Sequence, residues 1–180
     1  MTNIKNFVSI IILSILMAFC SKDNKPFAGN DQLPPETQTG ANTVGCLVNG
    51  RVFIPHAEGI SPEVNCFYQL VNGKYFFTMA FSDLRGSSIE TVNLFSAKID
   101  LQMNQIYVLN QGYNPVVGGG AEYYKDLSNK FSTNLIKTGE LKITKLDSSK
   151  SIISGTFWFD ATNSAGEKVE IRQGRFDWRY

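Results

Sequence analysis

The fold is decided by the stretch TGELKITKLDSSKSIISGTFWFDATNSAGEKVEIRQGRFDWRY, residues Thr138–Tyr180. Apolar and polar side chains alternate through four successive runs, which short polar segments separate. Period-two alternation is typical of half-buried strands. The runs are Gly139–Leu146, Ile152–Thr162, Lys168–Gln173 and Arg175–Tyr180. They predict an antiparallel meander with one face in the core and one face in water.

The last run carries aromatic side chains on one face and charges on the other. The aromatic side chains are Phe176, Trp178 and Tyr180, and the charged ones are Arg175, Asp177 and Arg179. Opposite charges that share a strand face usually form a solvated ladder. We therefore expect Asp177 to be solvated, with Asp160 joining it across the sheet.

Upstream, the dipeptide Asn-Gly stands twice between alternating runs, at Asn49-Gly50 and Asn72-Gly73. It favours the type I′ turn of a tight hairpin. Further strands are predicted around Ile89–Leu94 and around Ile106 and Val108. Gly118-Gly119-Gly120 is predicted to be a flexible loop. After it, Tyr123-Tyr124 and Phe131–Thr133 are predicted to form an edge hairpin, with a short helix as the alternative. The sequence thus predicts an all-β domain, an antiparallel sandwich or partly open barrel of about nine to ten strands built from successive hairpins.

The N-terminus has the pattern of a lipoprotein signal peptide, residues 1–20. Lys5 precedes the uncharged run Phe7–Phe19, whose 13 residues are fewer than the roughly 20 that a membrane-spanning helix needs. The run ends at Cys20, which resembles the acylated cysteine of a bacterial lipobox. Ordinary signal-peptide cleavage without acylation is the alternative.

Residues 21–43 are predicted to be a flexible tether, and 44–180 a single all-β domain. The tether holds Pro26, Pro34 and Pro35 among Gly, Asn, Gln and Thr. Such a composition has too little apolar surface to offset the entropy of ordering. We expect the tether to be dispensable for folding.

Charge excludes some partners. The formal net charge is +1, from 17 basic and 16 acidic residues, and removal of Lys5 with the signal peptide balances the two. Lys and Arg do not cluster, so no nucleic-acid partner is expected. The expected contact with the membrane is made by the N-terminal lipid anchor.

Cys46 and Cys66 remain once Cys20 is acylated. An even number of cysteines outside the cytoplasm permits a disulfide, and two buried free thiols are the alternative. No Cys-x-x-Cys occurs and His56 is the single histidine, so we expect no metal site and no cofactor. No catalytic residues are assigned, because His56 lies in a loop without a supporting motif.

Trp158 is the one side chain that suggests a binding surface. By alternation it points away from Phe157 and Phe159, towards the face with Thr156 and Asp160. An outward Trp beside polar groups can stack on a sugar ring or a partner's side chain. The alternative is that this face is also covered, by the second layer of a sandwich or by a rim loop.

Several short segments resemble a family of uncharacterised Bacteroidetes lipoproteins. They are Gly45-Cys46-Leu47-Val48-Asn49-Gly50, Ile143-Thr144-Lys145-Leu146-Asp147, Ser154-Gly155-Thr156-Phe157 and Gly174-Arg175-Phe176-Asp177. These are turn and strand signatures, so the resemblance implies no functional residues. It implies an anchored extracytoplasmic β-domain.

Together these features indicate a lipid-anchored protein of the cell envelope, in the outer membrane and facing the periplasm or the cell surface. We expect a non-catalytic binding or structural module whose partner is a glycan or an envelope protein. A lipocalin-like carrier of small ligands is the alternative, and a hydrolase of envelope material or glycans is less favoured.

We predict that Cys20 is the acylated N-terminus of the mature protein. Several acyl chains, each adding about 0.8 kcal/mol per buried methylene, would hold the domain firmly at the membrane. Mass spectrometry of the membrane fraction should find a lipid-modified Cys20. An unmodified N-terminus at another residue, in protein from the soluble fraction, would contradict this.

Overall fold

The computed structural model describes residues 32–57, 63–85, 89–112 and 117–180. The predicted signal peptide, Cys20 and residues 21–31 of the predicted tether lie outside these ranges. The described residues form eleven strands in one mixed sheet and contain no helix, which confirms the all-β class. The strands are β1 Thr43–Val48, β2 Arg51–Phe53, β3 Val64–Val71, β4 Lys74–Asp83, β5 Glu90–Ala97, β6 Ile106–Gln111, β7 Gly118–Tyr124, β8 Lys130–Ser132, β9 Gly139–Asp147, β10 Ile152–Thr162 and β11 Lys168–Arg179.

The sheet curls partly into a ring. Its order is β2-β1-β11-β10-β9-β6-β7-β5-β4-β3, while β8 pairs with β7 and β10. After β2, the His56 N–H donates to the carbonyl of Ser82 at 3.0 Å, and the Leu84 N–H donates to that of His56 at 2.9 Å. The chain beyond β2 therefore meets the end of β4. This arrangement agrees with the predicted sandwich or partly open barrel.

Aromatic side chains from opposite parts of the sheet fill the interior. Ring centroids lie 5.6 Å apart for Phe53 and Phe81, and 6.2 Å apart for Phe81 and Phe157. Phe77 stacks on Phe176 at 6.0 Å. Rings at these distances are in van der Waals contact. The two walls of the ring thus pack directly on each other.

The two predicted strands at the C-terminus are one continuous strand, β11. Residues between Ile171 and Gly174 do not turn; they form a β-bulge, in which Arg172 and Gln173 face the single residue Trp158 of β10. Gln173 takes the positive φ of 51° that the bulge requires. Period-two counting changes phase at such an extra residue, which is why the sequence suggested a break.

The triple glycine is part of β7, so its assignment to a flexible loop was wrong. Gly119 and Gly120 pair with Phe95 and Ser96 of β5 on one side, and the β6–β7 pair on the other side is parallel. The antiparallel prediction fails for that pair. A side chain on Gly120 would collide with the Phe95 ring. Glycine is needed here for close packing.

The segment before β1 is bound to Asp177 of β11. The carboxylate accepts hydrogen bonds from Thr37 Oγ1 (2.7 Å), the Thr39 N–H (2.8 Å), the Gly40 N–H (2.8 Å), the Ala41 N–H (3.1 Å) and Ser154 Oγ (2.7 Å). Asp177 is only 1% exposed, so the solvated ladder predicted for it is wrong. Residues 37–41 of the predicted tether are therefore held against the domain. Because charged acceptors bind donors strongly, these bonds offset the desolvation of the carboxylate.

The pKa of Asp177 shows which effect prevails. Burial would raise this pKa, but the hydrogen bonds from Thr37, Thr39, Ser154 and Ala41 hold it well below the usual range. A carboxyl group with a depressed folded-state pKa stabilises the fold above the unfolded-state pKa of about 4. That stabilisation is lost as the pH falls towards the folded-state value.

We predict that Asp177→Asn lowers the free energy of unfolding by about 2–4 kcal/mol at pH 7, because an amide cannot accept from all these donors. Thr37→Val, which removes one donor, should lose about 1 kcal/mol. Urea titrations at pH 7 and pH 3 measure both effects. The deficit of Asp177→Asn should shrink at pH 3, and an equal deficit at both pH values would contradict the assigned role.

Candidate functional site

Trp158 lies on the outer face of β10, as the alternation predicted. Its neighbours Phe157 and Phe159 are 3% and 0% exposed, whereas Trp158 is 36% exposed. No second layer of strands buries it, so the alternative of a covered face does not hold within the described residues. A large aromatic side chain that stays in contact with water marks this face as a candidate binding surface.

Polar neighbours fix the orientation of the indole ring. The Trp158 Nε1–H donates to Glu140 Oε2 at 3.2 Å. The guanidinium carbon of Arg172 lies 5.5 Å from the indole centroid, within the range of a cation–π contact. Arg172 is an extra residue of the bulge in β11, so the bulge brings the guanidinium against Trp158.

Arg172 is itself held from two directions. Its Nη2 lies 2.5 Å from Asp160 Oδ1, and its Nη1 donates to the carbonyl of Phe159 at 3.1 Å. Asp160 is therefore engaged with Arg172, and it does not join Asp177. Glu140 and Arg172 contact the indole directly, and Asp160 holds Arg172 in place. Together these contacts hold the ring in one position.

Two aliphatic side chains extend this face across β9 to β6. Cross-strand pairing aligns Val108 with Glu140, and Ile106 with Lys142. Ile106 and Val108 are 55% and 54% exposed, whereas Leu109 is fully buried. From the sequence, Ile106 and Val108 were predicted only to form the apolar centre of a strand. We call Trp158, Glu140, Arg172, Ile106 and Val108 the Trp158 surface.

Cys46 and Cys66 are free thiols, so the disulfide that their even number permitted is not formed. Cys46 lies on β1 opposite Phe53, and Cys66 lies on β3 opposite Met79. The two strands are not neighbours in the sheet order. Burial raises the pKa of the Cys66 thiol to about 12 and that of Cys46 further. Both thiols are protonated at neutral pH and act as small apolar groups.

His56 lies beside the acidic side chain of Asp83. Its Nδ1 is 3.0 Å from the carbonyl of Ile54 and 3.6 Å from Asp83 Oδ2. Arg85 also binds Asp83, with 2.8 Å between Nη2 and Oδ2. Burial opposes ionisation of Asp83, but the hydrogen bonds from Arg85 keep the pKa of this carboxyl below its usual value. The arrangement ties the chain after β2 to the end of β4.

A cleft of about 550 Å³ lies where the β1–β2 and β10–β11 connections meet. Its lining includes Arg51, Glu90 and Tyr123. Tyr123 Oη donates to Glu90 Oε2 at 2.8 Å, and Arg51 forms an ion pair with the same oxygen. These polar groups satisfy one another, which is typical of a structural cluster.

The described residues contain no group of three or more His, Cys, Asp and Glu placed to hold a metal ion. Within the same ranges there is no helix that is long and apolar enough to cross a membrane.

Comparison with protein families matches residues 69–177 to the domain of unknown function DUF6252. The match covers more than half of the 180-residue chain. The chain belongs to this family. The matched segment contains every residue of the Trp158 surface and ends at Asp177. The family match therefore includes the candidate binding surface and the buried carboxylate. No curated protein and no solved structure matches the chain.

We predict that Trp158→Ala lowers the free energy of unfolding by less than about 1 kcal/mol, as is usual at partly exposed positions. The adjacent Phe159→Ala is the matched control and should lose about 3–5 kcal/mol through the cavity it leaves. Thermal or urea unfolding of the two variants measures the difference. Similar large losses in both would show that Trp158 belongs to the core.

Proposed function

We propose that this DUF6252 protein is a lipid-anchored component of the cell envelope, acylated at Cys20 and located in the outer membrane. Its domain binds another envelope protein without catalysing a reaction, and the Trp158 surface is the contact. The observation that carries the proposal is the exposed indole of Trp158, which Glu140 and Arg172 hold in place.

The composition of the Trp158 surface favours a protein partner. Trp and Arg are the side chains that most often dominate the energy of protein–protein contacts. The exposed Ile106 and Val108 add apolar area on the same open sheet face, and Glu140 supplies the opposite charge to Arg172. Because the indole is already held, little conformational entropy is lost when a partner covers it. Arg172 covers part of the indole, which makes this ring less suited to stacking on a sugar.

The lipid anchor is supported by the sequence before the domain. The uncharged run Phe7–Phe19 ends at Cys20, and the described domain begins at residue 32. The intervening residues 21–31 span at most about 40 Å even when fully extended. On this proposal the domain is tethered to the membrane through Cys20.

The alternatives receive less support from the described residues. A lipocalin-like carrier needs an open interior, but contacts such as Phe81–Phe157 and Phe77–Phe176 fill it. A glycan hydrolase needs a pair of available carboxyl groups. Asp160 is bound by Arg172, and Asp177 is bound by residues 37–41.

The test is chemical cross-linking of envelope proteins to the full chain in cells, followed by quantitative mass spectrometry. Trp158→Ala should reduce recovery of one specific envelope protein at least tenfold, about 1.4 kcal/mol of lost contact. Leu70→Ala removes an exposed apolar side chain from β3, outside the Trp158 surface. Leu70 is 59% exposed, and its substitution should leave recovery unchanged.

Two results would refute the proposal. One is that every cross-linked protein is recovered equally with Trp158→Ala and with the chain that carries no substitution. The other is retention of an envelope polysaccharide through Trp158 when no protein depends on this residue. Cys20→Ala, examined in parallel, separates loss of the anchor from loss of the contact.

A further inference from the structure

A second cleft, of about 430 Å³, lies at the end of the sheet where β11 finishes. Its volume falls within the range of about 300–1,000 Å³ that is usual for small-molecule sites. Three tyrosines and three other polar side chains line it: Tyr68, Tyr75, Tyr180, Asp100, Gln102 and Ser148. We call it the tyrosine cleft.

The tyrosine rings form a compact aromatic wall. The rings of Tyr68 and Tyr75 are nearly parallel, with centroids 4.7 Å apart and an interplanar angle of 12°. Tyr180 stands at 88° to Tyr68, with centroids 5.8 Å apart. Tyr68 is buried, whereas Tyr75 and Tyr180 are only partly covered. The wall therefore presents aromatic surface from Tyr75 and Tyr180 to the cleft.

Hydrogen bonds fix the buried member of the wall. Tyr68 Oη donates to Asp100 Oδ1 at 3.0 Å and accepts the Leu101 N–H at 3.0 Å. Burial and, to a smaller extent, the nearby Asp100 carboxylate raise the pKa of Tyr68. The hydroxyl group therefore remains protonated and can donate its hydrogen bond to Asp100. This pair of bonds joins β3 to the segment after β5 and gives the cleft a rigid base.

Other polar groups at the cleft are free to bind a ligand. In the described ranges, the hydroxyl groups of Tyr75 and Tyr180 have no hydrogen-bond partner, and neither do the side chains of Gln102 and Ser148. Asp100 adds a second carboxylate oxygen beside the one that Tyr68 occupies. Hydroxyl, amide and carboxylate groups thus surround an aromatic wall.

Charge narrows the class of ligand. Asp100 is the one charged side chain in the lining, which contains no Lys, Arg or His. A carboxylate in a lining without basic side chains disfavours anions. A purely apolar ligand would strip water from Asp100 and the hydroxyl groups without replacing their hydrogen bonds. The cleft therefore suits a neutral molecule with an apolar face and a rim of hydroxyl groups.

We propose that the tyrosine cleft binds a neutral saccharide. One face of a pyranose ring consists of C–H groups that pack on aromatic rings such as Tyr75, and its equatorial hydroxyl groups radiate outwards. Asp100 accepts hydrogen bonds from those hydroxyl groups, while Gln102 and Ser148 both donate and accept. The residues of this site are distinct from the Trp158 surface, so the two proposals stand or fall separately.

The test is saturation-transfer NMR of the full chain with glucose, galactose, mannose, N-acetylglucosamine, maltose and cellobiose, each at millimolar concentration. Glucuronate serves as the anionic counterpart of glucose. At least one neutral sugar should receive saturation at its ring protons. Tyr75→Ala and Asp100→Asn should each weaken that sugar's binding at least tenfold, and glucuronate should bind more weakly than glucose.

Two further variants separate binding from folding. Gln102→Ala changes an exposed side chain, so it should keep the melting temperature and still weaken the sugar severalfold. Trp158→Ala should leave saccharide binding unchanged, because that residue lies on another surface. Failure of all six neutral sugars to bind would overturn the proposal. Binding that survives both Tyr75→Ala and Asp100→Asn, or tighter binding of glucuronate than of glucose, would also overturn it.

Discussion

Strand β11 is paired along both edges, and the rest of the structure depends on this double pairing. It is hydrogen-bonded to β1 on one side and to β10 on the other, so it joins the first strand of the chain to the C-terminal meander. Its Phe176 reaches across the interior to stack on Phe77 of β4. Its Asp177 binds the segment that precedes β1. One strand thus links the N-terminal segment, the meander and the opposite wall.

Asp177 and Trp158 lie on neighbouring strands but differ in burial. Asp177 faces outwards by alternation, yet it is buried because residues 37–41 supply the donors that a desolvated carboxylate needs. Trp158 also faces outwards, and no segment described by the structure covers it to that extent. The chain therefore buries the charge and leaves the indole in water. Polarity alone predicts a buried indole and an exposed carboxylate. The exposed indole therefore suggests that this side chain has a function.

The two candidate sites differ in what they offer a ligand. The Trp158 surface is an open sheet face with apolar side chains between charges of both signs, which suits the broad contact of a protein. The tyrosine cleft is concave, and its aromatic wall and free polar groups suit a small hydroxylated molecule. In the Trp158 surface the indole lies on a regular strand and is hydrogen-bonded, and in the tyrosine cleft Tyr68 lies on β3 with two hydrogen bonds, so these side chains are ordered before binding.

The sequence by itself determined the all-β class, the strands β9 and β10, the hairpins at Asn49-Gly50 and Asn72-Gly73, and the outward direction of Trp158. These features follow from period-two alternation and from turn chemistry, both of which are local. Only the tertiary structure decided the rest. The bulge at Arg172 and Gln173, the strand made from Gly118-Gly119-Gly120 and the burial of Asp177 depend on residues far away in the chain. The same holds for the tyrosine cleft, which gathers Tyr68, Tyr75, Asp100 and Tyr180 from four separate segments. Local patterns carry no information about which distant donor, ring or strand edge a residue meets, because closure of the sheet determines those contacts.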